Sequence, residues 1–358
     1  MMKPVFCFGE IMARLAPPGH LRFRQAMPGT LEITFAGAEV NTAVAIAALG
    51  GEAEVITAFP DNEISDAALA AVRAAGVGVK NVLVRPVGRF GLFFMETGAN
   101  QRAGMVLYDR ENSTFSLTAA SAYPWTEIMR AAGWLHTSGI AAGITRAAAE
   151  ATLAGLRAAE AAGVTVSCDL NFRRKLWRWD ESLAPEELAR RTLRTMLPLV
   201  DVVIGNPSDL SATVDLPVEK RPTPSGLAKL ARTLAAEFPR VRWVAITLRE
   251  GVSATHNRWG AMLYDVQRKK SHFSPLKNGR YHPHEIVSIV DRVGTGDVFA
   301  GALIHALRTP ELASPAKALS FALAASCLAH STKGDFCVCR RSEVEALMAG
   351  GNGGMVAR

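Results

Sequence analysis

The chain has 358 residues, of which 49% are hydrophobic, 20% charged and 7% aromatic, a composition typical of a globular protein and not of a disordered or fibrous one. The net charge is +7, but the densest basic runs, at 173–175 and 268–270, hold only three residues each, which argues against nucleic-acid binding. No segment reaches roughly 18 consecutive apolar residues and the N-terminus does not have the pattern of a signal peptide, so we expect a cytoplasmic protein without a membrane anchor.

The first third of the chain alternates short apolar runs with helical periodicity. VFCF predicts a buried strand, and AGAEVNTAVAIAALGG, from residue 36, predicts a helix that ends at Gly50. EVITAFP and SDAALAAVRAAG predict a second strand and a second helix. Between 82 and 118, VLVRPV, RFGLFFMET and AGMVLYDR are broken by Gly and Asn, which predicts antiparallel strands outside the main sheet.

From GWLHTSG onward, strands and helices alternate. The last third adds a hairpin-like piece, THNRWGAMLYD, and a run, HEIVSIVD, that predicts a strand ending at Asp291. Helices are predicted over 145–162, 185–197, 224–237, 297–307 and 315–330. Such alternation predicts a mostly parallel sheet flanked by helices. No repeat or linker marks a boundary, so we expect one domain over 1–358, with lid segments inserted at about 11–35 and 86–116.

The segment DRVGTGDVFAGALIHAL, residues 291–307, is the most informative about chemistry. A strand is followed by a Gly-Thr-Gly turn and by a helix predicted to begin at Asp297. Such a turn directs backbone N–H groups and the positive end of the helix dipole at one point, which is an anion hole. An Asp beside it could take a proton from a hydroxyl during phosphoryl transfer. The alternative is that Asp297 only caps the helix, since Asp is a favoured N-cap residue.

Two motifs resemble those of a known family. DRVGTGDVFAG resembles the C-terminal signature of the ribokinase/phosphofructokinase-B kinases, DTxGAGDxFxxG, and AGAEVNTAVAIAALG resembles their N-terminal signature. Along nearly the whole chain, stretches such as GEIMARLAPPGHLRF, VLYDRENS, SCDLNFRRKLW and STKGDF are similar to 2-keto-3-deoxygluconate kinases. The resemblance implies a ribokinase-like three-layer α/β/α fold with a mostly parallel central sheet and a small β-lid. It also implies ATP-dependent phosphorylation of 2-dehydro-3-deoxy-D-gluconate to its 6-phosphate.

The resemblance implies site residues as well. Asp297 would be the base, and the backbone of Gly294, Thr295 and Gly296 would form the anion hole. Sugar-binding positions, besides Asp297, are matched by Gly37, Ala38, Asn41, Phe93, Tyr108, Arg110 and Arg173, with Arg14 and Arg102 as further candidates. ATP-binding positions are matched by Asn171, Arg173, Asn206, Thr247, Arg249, Gly294 and Gly296. Asn206 and Asp209 match a motif that positions Mg²⁺ through water. The family also implies a homodimer joined through the lid.

Three alternatives remain open at this point. The substrate could be another sugar or sugar acid, such as 2-keto-3-deoxygalactonate, fructose or ribose; Tyr108 and Arg110 favour an acid, because a guanidinium group pairs bidentately with a carboxylate. A sugar-acid-binding protein without catalysis is disfavoured by Asp297 beside an intact Gly-Thr-Gly turn. A nicotinamide-dependent enzyme is disfavoured because the first strand is not followed by the required glycine-rich turn.

Overall fold

A computed structural model describes residues 2–219 and 222–350. Its strands are β1 (Val5–Phe8), β2 (Met12–Ala16), β3 (Glu32–Ala36), β4 (Ala53–Pro60), β5 (Gly78–Arg85), β6 (Gly91–Glu96), β7 (Met105–Asp109), β8 (Trp134–Ser138), β9 (Thr165–Asp169), β10 (Val202–Gly205), β11 (Trp243–Ser253), β12 (His256–Asp265), β13 (Lys270–Ser274), β14 (Leu276–Lys277), β15 (Arg280–Tyr281) and β16 (His284–Ile286).

Its helices are α1 (Phe23–Ala26), α2 (Ala38–Ala48), α3 (Glu63–Ala74), α4 (Thr114–Leu117), α5 (Trp125–Ala131), α6 (Gly139–Ile144), α7 (Arg146–Ala161), α8 (Pro185–Met196), α9 (Pro207–Val214), α10 (Pro224–Glu237), α11 (Thr295–Arg308), α12 (Pro315–Ala329) and α13 (Arg341–Met348). Among residues 2–219 and 222–350, none of these helices combines the length and the apolar character that crossing a membrane requires.

The central sheet is mostly parallel. Within the described residues it has ten strands, and its parallel part runs in the order β11-β10-β9-β8-β1-β4-β5. Strands β12, β13 and β16 extend the β11 edge in antiparallel pairings. Because the parallel strands all point the same way, their carboxyl ends and the loops that follow lie along one edge, where open α/β sheets bind ligands.

Helices cover both faces of this sheet. Alternate residues of β1 show the division, since Val5 and Cys7 pack with helices α2, α3, α11, α12 and α13, whereas Phe6 and Phe8 pack with the helices on the opposite face, α5 to α10. Strands buried on both faces read as continuous apolar runs, as VFCF does. The predicted three-layer α/β/α fold is confirmed.

A second, four-stranded sheet stands beside the main one, in the order β3-β2-β6-β7. Strand β2 pairs antiparallel with β3 and parallel with β6, and β6 pairs antiparallel with β7. Its strands come from two separate chain segments, residues 12–36 and 91–109. One face of the sheet is directed at the carboxyl ends of the main parallel strands, and the other face is turned away from them.

Two predicted strands differ from the structure. VLVRPV lies mostly in β5, which is not outside the main sheet but forms its edge, parallel to β4, because β4, α3 and β5 make one crossover unit. Its half-exposed edge position explains the mixed polar pattern. The run HEIVSIVD leaves the sheet after Ile286, so it is not a continuous strand up to Asp291, and Val287 and Val290 are exposed.

Helices α2 and α11 pack against each other more closely than ordinary helices do. A Cβ atom on Gly301 of α11 would lie 2.6 Å from the carbonyl oxygen of Thr42 and 2.8 Å from the Ala45 side chain. The glycine therefore allows the two backbones to approach, and their N-termini meet at the carboxyl edge of the sheet. This packing joins the two motifs that the sequence singled out.

Candidate active site

A cavity of about 1710 Å³ lies between the second sheet and the carboxyl ends of the main parallel strands. Pockets for one small ligand occupy roughly 300–1,000 Å³, so this cavity has room for two. All the predicted site residues except Arg14 and Arg102 line it. The structure therefore brings together residues that are separated by up to 260 positions in the sequence, from Gly37 to Asp297.

Asp297 is held by a neighbouring helix and does not cap its own. Helix α11 begins at Thr295, two residues before the predicted start, with Gly294 as N-cap and no side-chain cap. The Asn41 side chain on α2 donates from Nδ2 to Oδ2 of Asp297 at 2.7 Å. The alternative that Asp297 is the N-cap is therefore wrong, and the carboxylate faces the cavity with one oxygen bound to Asn41.

The pKa of Asp297 is raised to about 7. Burial is the largest cause, the hydrogen bond from Asn41 opposes it, and the negative charges of Asp335 and Glu39 raise the pKa further. A carboxyl group that is half ionised near neutral pH is suited to accept a proton, because a general base works best when its pKa is close to the working pH.

The start of α11 provides an anion site. Gly294 has φ +81, and a Cβ there would lie 2.8 Å from the Asp335 carbonyl oxygen, so the turn needs glycine. The first backbone bond of the helix runs from the Val298 N–H to the Gly294 carbonyl oxygen. The N–H groups of Thr295, Gly296 and Asp297 therefore have no acceptor within the helix. A Cβ on Gly296 would meet nothing within 4 Å. Open space beside unsatisfied N–H groups fits a phosphate group.

Thr295 does not crowd this opening with its hydroxyl group. Its Oγ1 donates to the Arg292 carbonyl oxygen at 3.0 Å, and its own carbonyl oxygen accepts from Ser326 Oγ at 2.7 Å. Both bonds tie Thr295 to the protein side of the turn. The hydroxyl is thus engaged before any ligand arrives.

The start of α2 lies under the other end of the cavity. Gly37 packs on the chain so closely that a Cβ would lie 2.1 Å from the Glu10 carbonyl oxygen, and Ala38 follows it in the cavity wall. The Gly37 N–H donates to Oδ1 of Asn41 at 3.3 Å. Because Oδ1 accepts this bond, the amide group presents its Nδ2 to Asp297, so Gly37 and Asn41 together orient the carboxylate.

The second sheet supplies the wall opposite α2. Phe93 and Tyr108 are paired residues of β6 and β7, and their ring centroids are 6.4 Å apart. Arg110, which follows β7 and is 5% exposed, donates from Nε to Oε2 of Glu10 at 2.7 Å and also from Nη2 to the same oxygen. Arg110 thus enters the cavity with one carboxylate partner already in place, which the sequence did not indicate.

Arg173 lies among carboxyl groups at the middle of the cavity. The side chain is exposed, and its positive charge lowers the pKa values of Asp169, Asp209 and Asp297 against the raising effect of burial. Asn171 stands beside it after β9, with φ +35. A phosphate or carboxylate group bound here could pair with the Arg173 guanidinium group, which would offset repulsion from the three acidic groups.

Thr247 and Arg249 lie at the far end of the cavity, on β11. The Arg249 side chain is exposed, and its charge lowers the pKa of Arg292, whose main cause of lowering is burial. Arg292 is held by the carbonyl oxygens of Ser253 and Ala254. Two neighbouring guanidinium groups at this end give it a positive potential suited to an anionic ligand.

Asn206 and Asp209 form a capping box at the start of α9. Asn206 Oδ1 accepts from the Asp209 N–H at 3.0 Å, and Asp209 Oδ2 accepts from the Asn206 N–H at 3.0 Å. The other Asp209 oxygen accepts from the Phe172 N–H at 3.2 Å. No group of three His, Cys, Asp or Glu side chains at ligand spacing occurs in the described part of the chain. The residues therefore fit a Mg²⁺ ion that keeps its waters, not one held by a cage of side chains.

Two predicted arginines do not reach the cavity. Arg14 forms buried ion pairs with Asp291 and Asp335, each at 2.5 Å. Arg102 donates to the His20 carbonyl oxygen at 2.7 Å and lies 4.0 Å from Glu96. Neither side chain lines the cavity, because both guanidinium groups are engaged with protein partners.

Several buried acids of the site were not predicted. Asp169 ends β9 and lines the cavity, and burial raises its pKa well above the usual value. Asp335 also lines it, with a pKa raised by burial to about 6. Glu39 on α2, whose pKa burial raises to about 7, accepts from Ser138, and its charge raises the pKa of Asp297. An acidic residue at the end of a buried strand, as in SCDLN, is the signal that could have identified Asp169.

The comparisons with known proteins agree over nearly the full length. The model of the pfkB family carbohydrate kinases matches residues 2–337. A 2-dehydro-3-deoxygalactonokinase of Haloferax volcanii is 31% identical over 355 residues, covering 99% of each chain. The structure of a 2-dehydro-3-deoxygluconokinase from Thermotoga maritima is 37% identical with a TM-score of 0.88, covering 98% of this chain and 100% of that one. A putative ribokinase II from E. coli, in complex with ATP and Mg²⁺, is 20% identical with a TM-score of 0.75, covering 97% and 99%.

The raised pKa of Asp297 predicts a pH-dependent cost in stability. Between pH 4 and pH 7 the folded protein keeps a proton that the unfolded chain has released, so the free energy of unfolding falls as pH rises through this range. Asp297→Asn removes this titration. Since one pKa unit corresponds to about 1.4 kcal/mol and about two pH units separate pH 5 from the pKa of Asp297, we expect the advantage of the variant over the unmodified protein to grow by about 3 kcal/mol between pH 5 and pH 8, measured by urea denaturation.

Asp180→Asn is the matched control for this measurement. Asp180 is partly exposed, and hydrogen bonds from Ser182 hold its pKa below the usual value, so it stays ionised from pH 5 to pH 8. Its replacement should change stability equally at both pH values. A stability difference for Asp297→Asn that does not vary with pH would contradict the raised pKa.

Proposed function

The chain belongs to the pfkB family of carbohydrate kinases, and we propose that it transfers the γ-phosphoryl group of ATP to 2-dehydro-3-deoxy-D-gluconate, giving the 6-phosphate. The observation that carries the proposal is the buried Asp297 carboxylate, oriented by Asn41 at 2.7 Å beside the open N-terminus of α11. A base with a pKa near 7 next to an anion site is the pairing that phosphoryl transfer to a hydroxyl group requires. A binding protein would gain nothing from this pairing.

Each end of the cavity has a distinct task in this mechanism. The sugar acid lies between α2 and the second sheet, and its attacking hydroxyl donates to Asp297. Asp297 takes the proton as the hydroxyl oxygen bonds to the γ-phosphorus of ATP, whose bond to the bridging oxygen breaks so that ADP leaves. The N–H groups of Thr295, Gly296 and Asp297 stabilise the negative charge on the transferring phosphoryl oxygens. Thr247 and Arg249 accommodate the nucleotide at the far end, and Asn171 and Arg173 lie between the two ligands.

ATP would bring the phosphoryl group, and a bound Mg²⁺ would neutralise part of the charge on its phosphates. Asn206 and Asp209 would hold the ion through water, because their own side chains are engaged in the capping box. Asp169, at the end of the neighbouring strand β9, adds a second carboxylate on the same edge of the sheet. The protein's part is to present these oxygens to the hydrated ion.

The choice of a sugar acid rests on the arginines and on the relatives. Arg110 and Arg173 both line the cavity, and planar guanidinium groups pair well with a carboxylate. The Thermotoga maritima structure, at 37% identity, is that of a 2-dehydro-3-deoxygluconokinase. A second candidate is the galacto epimer, favoured by the Haloferax volcanii relative at 31% identity. The two substrates differ in one hydroxyl configuration and would use the same residues.

Replacing Asp297 by Asn tests the base directly. The amide keeps the size of the side chain but cannot take the proton, so kcat should fall by about 10² to 10⁴. The affinity for the sugar acid, measured by calorimetry, should change less than about threefold, because proton transfer to the base occurs only in the transition state. With the unmodified enzyme, kcat/KM for the sugar acid should rise with pH up to a plateau above about pH 7, since this ratio reports the pKa of the free enzyme. Retention of most of the turnover by Asp297→Asn would remove the kinase mechanism.

Arg110→Ala, assayed with a panel of sugars, tests the substrate class. We expect the unmodified enzyme to prefer 2-dehydro-3-deoxy acids to fructose and ribose, and the variant to raise KM for the acid roughly ten- to a hundredfold, the value of a charge-assisted pair. The KM for ATP should stay nearly constant. Since the substitution leaves Glu10 buried without its partner, Arg110→Ala/Glu10→Gln is measured beside it. Faster turnover of a neutral sugar by the unmodified enzyme would exclude the acid.

We further propose that two copies associate through the outer face of the second sheet. This face carries apolar side chains, among them Ile33 (62% exposed), Leu107 (54%) and Met105 (43%). Ile33→Asp/Leu107→Asp should convert a dimer to a monomer in sedimentation equilibrium, because unpaired charges would be buried at the interface. Ile64→Asp, at an equally exposed position on α3, is the control that should leave the dimer intact. A monomeric unmodified protein would refute this arrangement.

A further inference from the structure

Arg14 is a buried arginine that joins three parts of the molecule. It lies on β2 of the second sheet and is 4% exposed. Its Nη1 donates to Asp335 Oδ1 and its Nη2 to Asp291 Oδ2, both at 2.5 Å. The two carboxylates belong to different loops, one before α11 and the other after α12. One planar guanidinium group therefore fixes two loops relative to the second sheet.

Both partners of Arg14 shape the anion site. Asp291 Oδ1 accepts from the Arg292 and Val293 N–H groups at 2.8 and 3.2 Å, so this carboxylate sets the path of the chain that enters the Gly-Thr-Gly turn. The Asp335 backbone packs on Gly294, where a Cβ would lie 2.8 Å from its carbonyl oxygen. A displacement of either loop would therefore move the turn that carries the N–H groups.

Asp335 and Asp291 are also tied to each other. Asp291 Oδ2, which binds Arg14, accepts from the Gly334 N–H at 3.3 Å, next to Asp335. The Asp335 carboxyl lines the cavity, and its charge raises the pKa of Asp297. The two loops thus form one unit around Arg14, and this unit borders the base as well as the anion site.

The backbone of Arg14 is connected to the sugar side of the cavity. In the second sheet Arg14 is the register partner of Phe93 on β6, and Phe93 is in turn paired with Tyr108 on β7. Phe93 and Tyr108 line the cavity where we place the sugar acid. A movement of the sheet that repositions these aromatic residues therefore moves Arg14 as well.

We propose that Arg14 is a positioning residue for phosphoryl transfer, which holds the anion-hole turn in register with the second sheet through Asp291 and Asp335. The inference rests on the proposed function, in that the turn and Asp297 are taken to carry out the transfer. The alternative is that the three buried charges only stabilise the fold. In that case their loss lowers stability and leaves turnover per folded molecule unchanged.

Arg14→Lys separates these roles. A lysine keeps the positive charge but has one nitrogen, so it cannot bind two carboxylates with separate donors in a fixed fork. Small misplacements of reacting groups are costly, so we expect kcat to fall about ten- to a hundredfold. The KM values for the sugar acid and for ATP should change less than about threefold, because the ligand-binding side chains remain in place. Assays are run well below the melting temperature, with the folded fraction checked by circular dichroism.

Arg240→Lys is the matched control. Arg240 also binds two carboxylates with two nitrogens, Asp201 at 3.2 Å and Glu160 at 3.5 Å, but it lies away from the cavity. Its replacement should leave kcat unchanged. If Arg14→Lys does not fold, Arg14→Met/Asp335→Asn takes its place, since it removes one carboxylate together with the arginine and fills the space with an apolar chain. The same fall in kcat is expected for it.

The outcomes divide clearly. A fall in kcat with nearly constant KM values in an Arg14 variant, absent in Arg240→Lys, supports the positioning role. Unchanged kcat, or a rise in KM alone, overturns it. Failure of the proposed function is distinguishable, because it would appear as retained turnover in Asp297→Asn. If Asp297→Asn is inactive and Arg14→Lys is as fast as the unmodified enzyme, only the role of Arg14 is lost.

Discussion

The hydrogen bond between Asn41 and Asp297 is the interaction on which the site depends. It joins residues 256 positions apart, and it exists because α2 and α11 approach each other at Gly301. A second bond in the same contact, from Thr42 Oγ1 to the Asp297 carbonyl oxygen at 3.2 Å, ties down the backbone of the first turn of α11. The helix crossing thus orients the carboxylate and the adjacent N–H groups together, while the parallel sheet below supplies the remaining residues from its carboxyl edge.

The cavity gathers buried acidic groups, and the ligands that we propose for it account for them. Burial raises the pKa values of Asp169, Asp209 and Asp297, and Arg173 is the cation whose charge opposes this in all three groups. Buried carboxyl groups lower stability unless they are paired, and they are rare in ordinary protein cores. A bound cation, or a hydroxyl group that donates a hydrogen bond, would favour the ionised form of these carboxyl groups and offset the cost of burying them. The acids are therefore better explained by ligand chemistry than by folding.

Local pattern and two motifs predicted much of this molecule. Helices such as α10 and α12 begin and end within a residue or two of the predicted limits. The spacing of their apolar residues and the residues that end them are local features of the sequence. The prediction that the strand now called β5 lies outside the main sheet was wrong, because its pairing with β4 depends on the crossover connection through α3 and not on local composition. The pairs Arg14–Asp291 and Arg110–Glu10 could not be predicted at all, because no sequence pattern links residues that meet only in the folded chain.

The way the second sheet is built limits the exchange of substrate specificity between related proteins by swapping chain segments. Its strands come from residues 12–36 and 91–109, and the parallel pair β2–β6 joins the two segments in one register. A chimera that imports only one segment would have to match that register without error, since a slip of one residue turns every side chain to the opposite face. It would also have to keep an arginine opposite Asp291 and Asp335. The sheet is therefore not a transferable module, and new specificities are more accessible through single side chains on its inner face, such as Phe93.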